Sequence, residues 1–253
     1  ARWRGEDMNL LIDFGNTRLK WAPWIGSRLA EGGVFAHAEA TLPAMLEREW
    51  AGLPQPERVL VASVVKPELE RALEGVVASL FARPTQFVRS PVNALGIVNA
   101  YAEHVRLGVD RFLALAALHA KAARGQILVG CGTALTLDAL CADGRHLGGL
   151  IAPSPQLMRE ALGRSTARTG GARGMLTEIA DNTADAVHSG SVLAAVALIE
   201  RFRRGVERSL GSPLAMIGDG GGIDELLPLL PDLQRERDLV LRGLALWAEQ
   251  ART

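Results

Sequence analysis

Cysteine is scarce in this chain of 253 residues: Cys131 and Cys141 are the only two. They form no C-x-x-C pair and have no histidine at metal-ligand spacing, which speaks against a disulfide framework or a zinc site and for free thiols. Neither sign of charge is in excess, since 28 basic and 28 acidic residues cancel. That balance argues against general binding to nucleic acid or to a membrane surface, while leaving room for one local basic pocket. No apolar run approaches the ~20 residues needed to span a bilayer. The opening Ala1-Arg2-Trp3-Arg4-Gly5-Glu6-Asp7 lacks the apolar core of a signal peptide. It is expected to be an upstream extension with Met8 as the natural start, and the chain is expected to be cytoplasmic. Aromatics make up 5%, and tyrosine occurs once, at Tyr101. Low-complexity segments, charge blocks and heptad runs are all missing.

Hydrophobic residues make up 48% of the chain, enough for a sizeable core and against disorder. The length suits one large or two small domains. The organising stretch is Met8-Asn9-Leu10-Leu11-Ile12-Asp13-Phe14-Gly15-Asn16-Thr17-Arg18-Leu19-Lys20. An apolar run reads as a buried strand, and Gly15-Asn16 as a tight turn into a second strand. A carboxylate at a strand's end, here Asp13, can hold a hydrated magnesium ion. Backbone N–H groups and the Thr17 hydroxyl can cradle phosphates, with Lys20 adding a point charge. The same residues also suit an ordinary hairpin.

Residues 18–25 and 33–37 read as the second and third strands of an antiparallel meander. Pro43 opens a helix to about Trp50, and Val59 to Val64 is a buried strand. Pro67 opens a helix to about Leu80, and Thr85 to Val88 is a short strand. Tyr101 then follows, either as a packing aromatic or as part of a site. In Gly108-Val109-Asp110-Arg111 an acid and a base open a long apolar stretch. Asp110 suits the positive end of a helix dipole, and it also suits a carboxylate that takes a proton from a substrate hydroxyl. Arg111 beside it suits an anion.

The second half repeats the plan. Gln126 to Val129 is a strand, Gly130-Cys131-Gly132-Thr133-Ala134-Leu135-Thr136-Leu137-Asp138 a turn and second strand, and His146 to Ile151 a third. This internal echo suggests two related sheets facing across a nucleotide cleft. A helix is expected over about Pro155 to Leu162. Gly163 to Thr177, with four glycines and three arginines, reads as a mobile loop and candidate lid. Asn182-Thr183 can cap a helix to about Leu210 whose apolar stripe is Val192, Val196, Ile199, Phe202, Val206 and Leu210. Leu214 to Ile217 reads as a strand. Gly218-Asp219-Gly220-Gly221-Gly222 then leads into a helix from Ile223, either as a close approach for nucleotide or as a flexible turn. Leu239 to Leu241 reads as the last strand and Arg242 to Gln250 as a closing helix.

Taken together, Asp13 to Lys20, Tyr101, Gly108 to Arg111, Gly132 to Thr136, Gly148-Gly149, Thr183 and Asp219-Gly220-Gly221 resemble the type III pantothenate kinases, of the acetate and sugar kinase/Hsp70/actin superfamily. The resemblance covers nearly the whole chain from Met8. It implies an α/β fold of two ribonuclease-H-like halves, 8–118 and 119–253, each a mixed sheet flanked by helices, with an ATP cleft between them. It implies ATP-dependent phosphorylation of pantothenate to 4'-phosphopantothenate, the first step of coenzyme A biosynthesis. A homodimer is implied too. Carried over by residue, Asp13, Phe14, Gly15, Asn16, Thr17, Arg18, Leu19, Lys20 and Thr133 contact ATP. Tyr101, Gly108, Val109, Asp110, Arg111 and Thr183 hold pantothenate, and Asp110 is the general base. Mg2+ accompanies ATP near Asp13.

One position departs from the family pattern. Where the second hairpin usually carries an aspartate linked to a monovalent cation, K+ or NH4+, this chain has Gly130. Glycine offers no side-chain oxygen, so weakened or absent potassium dependence is expected. Asp138 on the following strand is a candidate to compensate. Two other readings stand beside the kinase. One is a non-catalytic nucleotide- or metabolite-binding regulator on the same scaffold, and the other is a superfamily kinase or phosphatase acting on a sugar or polyphosphate.

Overall fold

The computed structural model describes residues 8–165 and 174–250. The chain forms two compact units, one running to Ala122 and resuming at Asp238, the other spanning Ala123–Arg237.

In the first unit a meander of β1 (Met8–Phe14), β2 (Arg18–Ile25), β3 (Arg28–Leu29) and β4 (Gly33–Ala36) comes first. It is followed by α1 (Leu42–Trp50), β5 (Arg58–Ser63), α2 (Pro67–Phe81) and β6 (Thr85–Val88). The sheet order is β3-β2-β1-β5-β6, with β4 also on β2. β1 runs antiparallel to β2 and parallel to β5. Side chains alternate between faces along a strand. Leu10, Ile12 and Phe14 of β1, with Leu19 and Trp21 of β2, point to one face and pack with Leu42, Leu46 and Trp50 of α1 and Leu73, Val77 and Phe81 of α2. Each such fully buried side chain contributes roughly 1.5–3 kcal/mol. Trp21 and Trp50 meet edge to face at 6.3 Å.

A small hairpin, β7 (Asn93–Ala94) and β8 (Ile97–Val98), leads to α3 (Val109–Lys121). The second unit holds β9 (Gln126–Cys131), β10 (Ala134–Leu140), β11 (His146–Pro153), α4 (Pro155–Ser165), α5 (Thr183–Leu210), β12 (Ala215–Asp219) and β13 (Leu233–Arg235). Its order is β11-β10-β9-β12-β13, with β9 antiparallel to β10 and parallel to β12. That repeats the β2-β1-β5-β6 order of the first sheet, with β11 in the place of β4 and nothing in the place of β3, and bears out the internal echo. The expected stripe of α5 is present: Val192 and Ile199 lie in the core, with Val196, Phe202, Val206 and Leu210 packed on it. The last described element, α6 (Leu239–Gln250), packs on α3, β1 and β5 of the first unit.

Several expectations change. Leu239 to Leu241 is the first turn of α6, not a strand, and the last strand is β13. Three apolar residues in a row carry no period of their own, so the run suits either element. Ile223 opens no full helix. Two 3-10 turns, Ile223–Glu225 and Leu227–Leu229, stand there instead, because Pro228 lacks the N–H an α-helix needs. A join at 118/119 would cut α3, which is buried through Leu118, and the contacts break instead after Ala122. The closing helix groups with the first unit, not with the second half. Most of the candidate lid over 163–177 falls on 166–173, outside the described residues. Its described end is strapped to α5, with Met175 N–H donating to Asp185 Oδ1 at 2.6 Å and Thr177 N–H to Ser189 Oγ at 2.9 Å.

Candidate active site

The first hairpin places Asp13 directly opposite Lys20, and Phe14 opposite Leu19. Facing residues share one side of a sheet, with Cβ atoms ~4.5–5.5 Å apart. The two side chains therefore leave the same face of the sheet near the end of β1, and both residues are half-buried. Phe14 and Leu19 point the other way into the core, so they shape the turn from beneath. Asn16, Thr17 and Arg18 are exposed at its tip. The turn is closed by Gly15 N–H donating to Arg18 O at 3.1 Å. His37, beyond β4, donates from Nε2 to Gly15 O at 2.8 Å and lies edge-on to Phe14 at 5.0 Å. A single carboxylate beside a phosphate-sized turn suits magnesium, which keeps several waters and needs few protein oxygens.

The second cluster stands where α3 begins. Gly108 is the N-cap, so Asp110 lies in the first turn at the positive end of the helix. Its Oδ1 accepts the Arg111 N–H at 2.8 Å. A Cβ on Gly108 would come within 2.5 Å of that same Oδ1, so only glycine leaves the carboxylate where it is. Val109 is buried behind it. Arg111 is 6% exposed and reaches back from Nη1 to Tyr101 Oη at 3.3 Å. Its guanidinium carbon lies 5.9 Å from the Tyr101 ring centre, within cation–π range. Thus the chain's single tyrosine touches Arg111, whose backbone N–H is held by the neighbouring acid.

The loop carrying Tyr101 has braces that sequence reasoning missed. The Asn99 amide donates to Pro91 O at 3.1 Å and to His104 O at 3.0 Å, and its Oδ1 accepts from Tyr101 N–H at 3.0 Å. Ser90 Oγ donates to Leu107 O at 2.7 Å, and His104 Nδ1 donates to Ser90 O at 2.7 Å. Asn99 sits beside Tyr101 in the sequence, and that adjacency is the one signal that could have found it.

In the second unit Cys131 pairs with Leu135, and Gly130 with Thr136 on β10 and Asp219 on β12. Thr133 is exposed at the turn. A Cβ on Gly130 would collide with Thr136 Oγ1, so that hydroxyl occupies the space an acidic side chain would need. Asp138 does not compensate, because it is fully buried and its Oδ1 is 2.9 Å from His146 Nε2. These residues do not fit a monovalent-cation site built on a carboxylate at this position.

Asn182, not Thr183, caps α5, its side chain accepting from Asp185 N–H at 3.0 Å. Thr183 is the first helical residue, and its side chain is exposed. The glycine run after β12 packs on β9. Gly220 has φ +108°, and a Cβ there would strike the Cys131 carbonyl, while a Cβ on Gly222 would come within 2.6 Å of Cys131 Sγ. This accounts for Gly220 and Gly222 without a ligand. Burial pushes the Cys131 thiol up to about 11, so it is no nucleophile at neutral pH.

Comparison with known proteins gives the family. The family model described as type III pantothenate kinase matches residues 9–205. A type III pantothenate kinase of Xanthomonas euvesicatoria pv. vesicatoria (strain 85-10) is 46% identical over 242 residues, covering 95% of this chain and 97% of its own. Another, of Xanthomonas campestris pv. campestris (strain 8004), is 45% identical over 241 residues, with 94% and 96% covered. Among solved structures, a Campylobacter jejuni protein named for the Baf family of transcriptional activators superposes with a TM-score of 0.64 at 17% identity, covering 96% of this chain and 100% of that one. A Sinorhizobium meliloti protein named as a 2-dehydro-3-deoxygalactonokinase gives 0.60 at 13%, covering 96% and 98%. The structural matches speak to the two-unit fold alone. The sequence matches run through the first hairpin, the Tyr101 loop, the start of α3 and the second hairpin, and on them the chain belongs to the type III pantothenate kinase family.

Proposed function

We propose that this kinase passes the γ-phosphoryl group of ATP to the primary hydroxyl of pantothenate with Asp110 as the general base. The chain is a pantothenate kinase, an enzyme of coenzyme A biosynthesis, which displaces the reading as a non-catalytic regulator. The observation that carries the residue assignment is the Asp110 carboxylate held at the α3 N-terminus, next to an arginine and tyrosine already in contact.

The hydroxyl oxygen attacks the γ-phosphorus, the bond to the bridging β–γ oxygen breaks, and ADP leaves with that electron pair. The hydroxyl proton goes to Asp110. A primary alcohol is a poor nucleophile at neutral pH, so a carboxylate that orients it and accepts its proton is worth ~10²–10⁴-fold. Gly108, Val109, Arg111, Tyr101 and Thr183 are assigned to pantothenate, with Arg111 the candidate for its carboxylate. Asp13, Gly15 to Arg18, Lys20 and Thr133 are assigned to ATP, with Phe14 and Leu19 shaping the turn from the core. Magnesium, when bound with ATP near Asp13, supplies charge neutralisation, and the protein's remaining task is positioning. The two cysteines are free and buried, in keeping with a cytoplasmic setting.

A homodimer belongs to the same reading. An apolar groove of about 790 Å³ lies between α4 and α5, lined in part by Leu157, Met158 and Leu162. Ile151 and Leu150 nearby on β11 are 65% and 42% exposed.

The test is pantothenate-dependent ADP release by the parent chain and by Asp110→Asn. Turnover falls by about 10²-fold or more in the variant, with circular dichroism and Tm unchanged. Equal turnover in the two proteins removes Asp110 from the chemistry.

A further inference from the structure

In each unit the last strand of the meander stops one rung short of the hairpin turn. β4 pairs Ala36 with Arg18, and β11 pairs Pro153 with Ala134. The next residues along, His37 and Ser154, therefore fall beside Thr17 and Thr133. Both reach back to a carbonyl of the turn. His37 donates from Nε2 to Gly15 O at 2.8 Å and from its backbone to Thr17 O at 3.3 Å. Ser154 donates from Oγ to Thr133 O at 2.9 Å, and the same oxygen accepts the Leu157 N–H at 3.2 Å. At equivalent positions of the two repeats an imidazole and a hydroxyl thus each hold a carbonyl of the turn, that of Gly15 in the first unit and of Thr133 in the second.

We propose that His37 and Ser154 are matched positioning residues, each orienting the backbone of the nucleotide-binding turn in its own unit. The inference rests on the assignment of both turns to ATP. A trans peptide is planar, so pinning a carbonyl aims the following N–H the opposite way. His37 on Gly15 O thereby aims the Asn16 N–H, and Ser154 on Thr133 O the Ala134 N–H. Backbone N–H groups aimed in this way are what a turn offers to phosphate. Chemically the two braces differ, but the demand is common: one N–H or O–H donor at one rung. That predicts which replacements are tolerated. Glutamine puts an N–H near the place of the imidazole Nε2, and threonine keeps the hydroxyl.

The experiment measures KM for ATP and for pantothenate, the ADP dissociation constant by calorimetry, and Tm. The variants are His37→Ala, His37→Gln, Ser154→Ala and Ser154→Thr. A hydrogen bond of ordinary net strength sets the scale. Each alanine variant raises the ATP KM and the ADP dissociation constant about three- to tenfold, with the pantothenate KM unchanged, and Gln and Thr restore most of the loss. Alanine variants that bind ADP as the parent does overturn the inference. So does a loss that falls equally on both substrates, tracks Tm and is not rescued, since that is stability alone. A parent chain that binds no ADP overturns the assignment of the turns themselves.

Discussion

Asp13 and Gly130 occupy the same place in the two repeats, and their neighbours differ accordingly. Asp13 faces Lys20 across the hairpin, whereas Gly130 faces Thr136, whose hydroxyl fills the space beside it. A cation at the second position would have lost its charged ligand, and Asp138 is engaged with His146. Turnover is therefore expected to be the same in potassium chloride as in choline chloride at equal ionic strength. A requirement met by potassium or ammonium and not by choline would sink this reading. At this scale the motif residues were legible because each is a short run of special types, such as Gly108 ahead of Asp110. His37, Asn99 and Ser154 were not. Their roles come from which rung of a sheet or which turn they fall beside, and register is set by pairing rather than by the residue itself.

Elements announced by a prolonged period were read well. The α5 stripe and the buried runs of β1, β5 and β9 declare themselves over many residues. Short runs did not: Leu239 to Leu241 passed for a strand, and β3, β7 and β8, at two residues each, left no trace. The β7–β8 turn even uses Leu95 at φ +53° before Gly96 at +77°, where the sequence gives no warning in the leucine. One element contact lends itself to measurement. Gly243 of α6 lies so close to Leu113 of α3 that an added Cβ would meet the Leu113 carbonyl. Gly243→Ala is expected to cost about 1–3 kcal/mol by overpacking, or roughly 2–4 °C in Tm for each kcal/mol, despite alanine's better helix propensity. Thermal unfolding decides it; an unchanged or raised Tm means the helices separate without penalty.

At the scale of the whole molecule, the repeat was legible from the paired Gly-Thr turns, while the return of the C-terminus was not. No residue of α6 says which unit it will cover; its apolar face would suit either. Assembly also belongs at this scale. Light scattering on the purified chain is expected to give twice the 27.0 kDa protomer mass. Ile151→Asp, which puts a charge on the exposed apolar edge of β11, is expected to give the protomer mass with unchanged circular dichroism. A parent chain that runs as a monomer at assay concentration ends the dimer proposal.

The return of α6 also bears on how the protein is made. The second unit is one uninterrupted stretch, Ala123–Arg237, so all of it is synthesised before α6. The first unit lacks its covering helix until the whole of the second has been translated. Domains usually fold in the order in which they are synthesised. Here the unit that starts first waits on a segment made after the second, and its β1–β5 surface is uncovered by α6 in the meantime.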